Sequence, residues 1–134
     1  AYSSINSSWV IRMQRSRGVK IGKNCHLSPY VLIDLIYPSM ISIGNNVTIG
    51  SNTMIFAHHN PTANALLKEN AYPREVKKVT INDGAVIGPG SIITAGTTIG
   101  KNSIIGVGSV VSNKISDFSV AMGNPARVIK RIKF

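Results

Sequence analysis

The sequence predicts an all-β chain, a parallel β-helix of about four triangular coils, and three observations predict it. First, one column of branched aliphatics recurs every sixth residue: Ile21, Leu27, Ile33; Ile43, Ile49, Ile55; Ile81, Ile87, Ile93; Ile99, Ile105, Val111. Second, the residue two places before each is small or branched, as at Val19, Val47, Ala85, Thr97 and Ser109. Residues i and i−2 of a strand share a face, so each hexad sends two side chains inward. Third, Gly or Asn recurs at the turns, as at Gly22, Asn24, Asn46, Asn52, Gly88 and Asn102. Both residue types tolerate the left-handed backbone that a sharp corner needs. Three hexads then close one triangular coil, and coils stack at roughly 4.8 Å. A narrow prism filled by stacked aliphatics also explains why aromatics make up only 6% of the chain. No amphipathic helices lie between the hexads to build a layered α/β fold.

The elements follow in order along one domain, residues 1–134. Residues 1–18 form an N-terminal segment in which Ser7, Ser8 and Trp9 lead into WVIRMQRSR, a short helix with Ser as its N-cap. The β-helix spans 19–115. Its column is interrupted twice: Ile33 to Ile43 and Ile55 to Ile81 are not six apart. Both breaks follow the third hexad of a coil, so both insertions leave one corner of the prism, and gathered insertions mark a binding face. The longer loop, 58–78, carries Pro61 and Pro73, with Leu66 and Leu67 as its expected anchor on the body. Loops this long in a compact domain are usually functional or disordered. Beyond it, 116–134 is a tail with a turn at Met122-Gly123-Asn124-Pro125, then a helix or extended segment from Ala126.

Charge and composition narrow the function. The net charge is +10, with 15 Lys and Arg against 5 Asp and Glu, which suits an anionic partner. The bases are scattered, and no reading helix or aromatic-interleaved basic segment accompanies them, so nucleic acid is not the expected partner. No run is long enough for a membrane span, because Asp34 breaks the most apolar one, and no signal-peptide pattern is visible. The single cysteine, Cys25, excludes an internal disulfide and fits a cytoplasmic location. It occupies an inward wall position and reads as structural.

The root of the long loop holds two of the three histidines, His58 and His59. An imidazole that titrates near neutral pH is suited to general-base work. The hexads, this histidine pair and the ending IGVGSVVSNKISDFSVAMGNPARVIKRI resemble the hexapeptide acyltransferases over residues 18–132. Within that family the chain is most similar to the galactoside and maltose O-acetyltransferases and the sugar acetyltransferases of polysaccharide synthesis. The resemblance implies a left-handed coil, a homotrimer with sites between subunits, and acetyl-CoA as acyl donor, with no metal. The implied reaction is transfer to a hydroxyl or amino group of a sugar-like acceptor, with His58 or His59 as the base. For the coenzyme it implies Gly88, Gly106, Gly108, Ser109, Ser112, Asn113, Arg127 and Lys130. Relatives often carry Trp where this chain has Val86, which separates it from a galactoside-type acceptor site. Two other readings stay open: a γ-type carbonic anhydrase, with zinc on the three histidines, and a prism retained as a non-catalytic scaffold.

Overall fold

The computed structural model describes residues 2–60 and 62–134, with side chains from Ser7 onward; Ala1 and Pro61 lie outside the described residues. The hexads build three parallel faces. The first stacks Lys20–Ile21, Ile41–Ile43, Val79–Ile81, Thr98–Ile99 and Lys114–Ile115. The second stacks His26–Leu27, Thr48–Ile49, Val86–Ile87, Ile104–Ile105 and Ser119–Gly123. The third stacks Leu32–Ile33, Met54–Ile55, Ile92–Ile93 and Val110–Val111. Every coil-to-coil pairing is parallel and in register, so Ile93 pairs with Ile55 on one side and Val111 on the other.

Register puts like residue over like residue, and that makes the core. Leu27, Ile33, Ile49, Ile55, Ile93, Ile99 and Val111 are fully buried. The small inward residues are buried beside them. Where these are Ser or Thr, the hydroxyl donates to a nearby carbonyl: Ser91 to Gly88 at 2.7 Å, Ser109 to Gly106 at 2.7 Å, Thr97 to Val111 at 3.0 Å. Cys25 packs against the same core, its thiol 3.0 Å from the Gly44 carbonyl. Removing one rung exposes what the ladder contributes. Ile93→Ala is expected to cost about 2–5 kcal/mol in urea unfolding, because stacked coils cannot collapse into the void.

The corners obey a second rule. The residue three past the column position takes a left-handed backbone at Asn24, Asn46, Gly84 and Asn102 between the first and second faces, with φ of 56°, 59°, 76° and 53°. Between the third and first faces Gly96 holds that place, with φ of 84°.

Both ends are closed. The N-terminal helix, α1, runs Tyr2–Ser16, earlier than its expected start, and buries Val10, Ile11 and Gln14 on the first coil. Ser7 is therefore inside the helix and not its N-cap. Its hydroxyl instead accepts the Leu27 N–H at 3.1 Å. That amide points away from the stack, where no coil lies beneath to receive it. At the other end the prism passes the expected limit at 115 into a partial fifth coil. Ile115 and Ala121 extend the first and second faces inward. The tail is extended: Ala126–Arg131 folds back antiparallel on Ser119–Gly123 through a turn with a cis Asn124–Pro125 bond.

Candidate active site

Both insertions leave the corner between the third and first faces, as their spacing predicts. The first begins at Asp34, directly after the third-face strand, and ends in a 3-10 turn, Pro38–Met40. Arg17 at the end of α1 clamps its start, donating to the carbonyls of Ile33 at 3.2 Å and Asp34 at 2.6 Å. The long loop starts and ends as a short antiparallel ribbon, with His58 opposite Val76 and His59 opposite Glu75. Between these strands lies a helix, α2, Ala65–Asn70, whose N-cap Asn64 accepts from the amides of Leu66 and Leu67. Leu66 and Leu67 do not anchor the loop to the body. They are 70% and 43% exposed, because the loop projects from the prism and leaves them nothing in the same chain to cover.

His58 stands three residues past Ile55, the place in the hexad that Gly96 fills one coil further on. Alternation along the ribbon then sends His58 and His59 to opposite sides. His58 turns toward the first insertion, where its Nδ1 lies 2.6 Å from Asp34 Oδ2; the His58 side chain is 19% exposed and that of Asp34 fully buried. His59 turns outward, half exposed, with Nε2 at 3.3 Å from Glu75, which Lys77 also approaches at 3.4 Å.

The buried carboxylate is held by a cage of amides. Asp34 Oδ1 accepts from Ile36 and Tyr37, each at 2.9 Å, and Oδ2 accepts from Ala57 at 2.8 Å. Burial alone would raise its pKa. The hydrogen bonds from Tyr37, Ala57, His58 and Ile36 outweigh burial and bring the value from 3.8 down to about 2. At neutral pH the carboxylate is therefore ionised and can only accept. His58 must donate through Nδ1, which leaves the Nε2 lone pair of the neutral ring free. Because the folded value lies below the ordinary one, the ionised group stabilises the fold above about pH 4. That contribution, about 2 kcal/mol, disappears as pH falls through the folded value. A pH titration of urea stability should show this loss, and Asp34→Asn should lack it.

Aromatic packing completes the corner. The Tyr37 ring meets His58 edge-on, with centroids 5.3 Å apart, and Arg74 lies over the other part of that ring at 5.0 Å while donating to its hydroxyl. Asp34, Tyr37 and Arg74 were not among the residues expected from sequence. The signal for Asp34 was present: a carboxylate interrupting an apolar run at the corner from which the histidine loop also leaves.

The eight residues expected at the coenzyme lie on two edges. Gly88, Gly106, Gly108 and Ser109 follow the second face. A Cβ at Gly88 would come within 2.7 Å of the Val107 amide, and one at Gly106 within 2.8 Å of Met122, so coil stacking itself requires both glycines. Gly108 has open space around it and a φ of 68°. The Ser109 hydroxyl is buried, donating to Gly106 and accepting from Gly123 at 3.2 Å. Ser112 and Asn113 are exposed on the His58 edge, two coils or roughly 10 Å along the stack. Arg127 and Lys130 are exposed on the terminal ribbon, opposite Met122 and Val120. His26 stands on the second face, apart from the other histidines. Among the described residues no group of three or more His, Cys, Asp or Glu side chains converges as on a metal. No helix among them is long and apolar enough to cross a membrane.

Known proteins that share these hexads define a class of transferase. A family described as bacterial transferase hexapeptide (six repeats) matches residues 78–113, and one described as hexapeptide repeat of succinyl-transferase matches 40–57. The galactoside O-acetyltransferase of Lactococcus lactis is 36% identical over 115 residues, 83% of this chain and 55% of that protein. The crystal structure of a maltose O-acetyltransferase from Clostridium difficile 630 is 33% identical with a TM-score of 0.71, covering 92% of this chain and 75% of that one. A galactoside acetyltransferase in complex with coenzyme A is 29% identical with a TM-score of 0.69, over 92% and 70%. The chain belongs to the hexapeptide-repeat acetyltransferase family, and its fold is that family's left-handed parallel β-helix. It spans between 55% and 62% of the length of three curated relatives that it matches.

Proposed function

We propose that this chain transfers an acetyl group from acetyl-CoA to a hydroxyl or amino group of a sugar-like acceptor, with His58 as general base. The observation that carries the proposal is the 2.6 Å contact of His58 Nδ1 with the buried Asp34 carboxylate. It leaves Nε2 as the acceptor of a proton, at a loop root open to solvent. His58 Nε2 takes the acceptor proton as the acceptor oxygen or nitrogen attacks the thioester carbonyl. The imidazolium so formed is stabilised by Asp34. The C–S bond then breaks, and His58 returns the proton to the departing thiolate, restoring the starting state. No covalent enzyme intermediate is needed, which accords with Cys25 facing the core. The relatives named for galactoside and maltose acetylation support the acceptor class, and the coenzyme A complex supports the donor. The proposed location is the cytoplasm, a reducing compartment that suits the free Cys25. Colorimetric thiol release from acetyl-CoA, read with and without sugars and amino sugars, tests this reading. Acceptor-dependent release supports it, and acceptor-independent release or none contradicts it.

For the donor, Ser112, Asn113, Arg127 and Lys130 are the exposed polar candidates. Gly88, Gly106 and Ser109 contribute a close-packed wall, with Gly108 open beside it. Because Ser112 and Asn113 stand on the His58 edge while the glycines and the terminal ribbon follow the second face, a single groove joining them needs a second copy, and the proposed assembly is a homotrimer. Outward apolar side chains support it: Leu32, Met54, Ile92 and Val110 line the third face, and Val86 and Ile104 the second, with Met54 and Ile104 each 40% exposed. The first face is outwardly polar, with Lys20, Ser42, Thr80, Thr98 and Lys114. Light scattering on the eluted protein should read three times the chain mass, and a monomeric mass contradicts the assembly. Ile104→Glu should shift the mass downward, since a charge at an apolar interface is costly to bury.

A further inference from the structure

The site corner holds a cation, Arg74, that no acidic side chain neutralises among the described residues. The five acidic residues are Asp34, Glu69, Glu75, Asp83 and Asp117. Asp34 is enclosed by three amides and His58. Glu75 serves His59 and Lys77. Asp83 and Asp117 receive the amides of Asn45 and Lys101, each tying one coil to the next. Glu69 stands exposed on α2. Among the described residues none of the five pairs with Arg74.

Arg74 is nevertheless held in place. It stacks on Tyr37 at 5.0 Å and spends a donor on the Tyr37 hydroxyl, and Tyr37 is itself packed on His58. A guanidinium carries five N–H donors in a fixed plane. Among the described residues one is used, and the remainder belong to an exposed side chain whose position the Tyr37 contacts already set. Such a fork matches a carboxylate or phosphate, and prior ordering lowers the entropic cost of binding one. The two ring contacts put this charge within about 10 Å of the imidazole, the reach of one sugar ring and its substituent. A stacked, unpaired arginine beside the reacting centre is of little use to a neutral acceptor, and the chain's charge of +10 draws anions toward it.

Resting on the acetyl-transfer reading above, we propose that Arg74 selects the acceptor and that the acceptor carries an anionic group, a carboxylate or a phosphate. The test uses the full chain, acetyl-CoA and a panel of monosaccharides in matched neutral, uronate and phosphate forms. Methyl glucoside, methyl glucuronide and glucose 6-phosphate make up one such set. Wild type should favour an anionic member over its neutral partner by about 10- to 100-fold in kcat/KM, the worth of a charge-assisted hydrogen bond or two. Arg74→Gln should collapse that ratio toward one, and Arg74→Lys should restore only part of it. Preference for the uronate or for the phosphate identifies the source of the charge. An equal ratio in wild type and Arg74→Gln, or no anion preference anywhere in the panel, overturns the proposal. So does a proportional loss on all acceptors, which makes Arg74 only a support for Tyr37, or a weakened grip on acetyl-CoA in its place. Calorimetry of the same sugars separates the two readings. Anion binding that Arg74→Gln abolishes, with no transfer by any protein, keeps the charge recognition and removes the base. Transfer without anion binding does the reverse.

Discussion

His58→Ala is expected to lower kcat for acetyl transfer by about 10²–10⁴-fold, the usual worth of a positioned general base. The acceptor's hydroxyl is a weak nucleophile until its proton has somewhere to go, and the Nε2 lone pair is the acceptor that the Asp34 contact leaves free. The loss should fall on kcat and kcat/KM together, because the proton moves only in the transition state. Binding of acetyl-CoA, read by calorimetry, should change little, since the exposed candidates for the donor lie along the stack and on the terminal ribbon. A variant that binds the donor poorly but turns over normally would place His58 in binding and not in chemistry.

Asp34→Asn carries the second large effect. An amide keeps the shape of the carboxylate but presents one donor group to a cage that contains only donors. If the amide NH2 faces His58, the ring must rotate or place its proton on Nε2, the base is lost, and the Ala57 amide loses its acceptor. If it faces the amides of Ile36 and Tyr37, two buried N–H groups lose their acceptor. The first outcome lowers kcat by about 10²–10⁴-fold, as expected for a base held in the wrong tautomer. Stability falls by about 1–3 kcal/mol per orphaned amide, one in the first orientation and two in the second. A spectroscopic readout separates tautomer from fold: the ring nitrogens of His58 should exchange donor and acceptor character in their 15N shifts only if the ring has been reset, which simple loosening of the loop would not do.

Much of the fold was legible because the prism repeats. Twelve column positions, each two after a small or branched inward residue, leave little freedom in register, and all twelve pair as their spacing requires. The same arithmetic put both insertions at one corner and His58 at its root. The ends were less legible for physical reasons. Tyr2 to Ser8 is rich in Ser and Asn, poor formers of an isolated helix, so the sequence alone starts α1 later than the structure does. The short run from Ala126 fits helix or strand by pattern, and pairing with Ser119–Gly123 decides it. The site was half legible. Two neighbouring histidines look alike in sequence, and only the ribbon's alternation separates one turned to Asp34 from one turned to Glu75. Tyr37 and Arg74 are 37 residues apart, and no local pattern links them.

The most direct measurement compares His58→Ala with His59→Ala on one acceptor, as acceptor-dependent thiol release from acetyl-CoA under single-turnover conditions. Asp34 holding His58 as the base predicts that His58→Ala is slower than His59→Ala by about 100-fold or more. Equal loss in the two variants, or greater loss in His59→Ala, would contradict it.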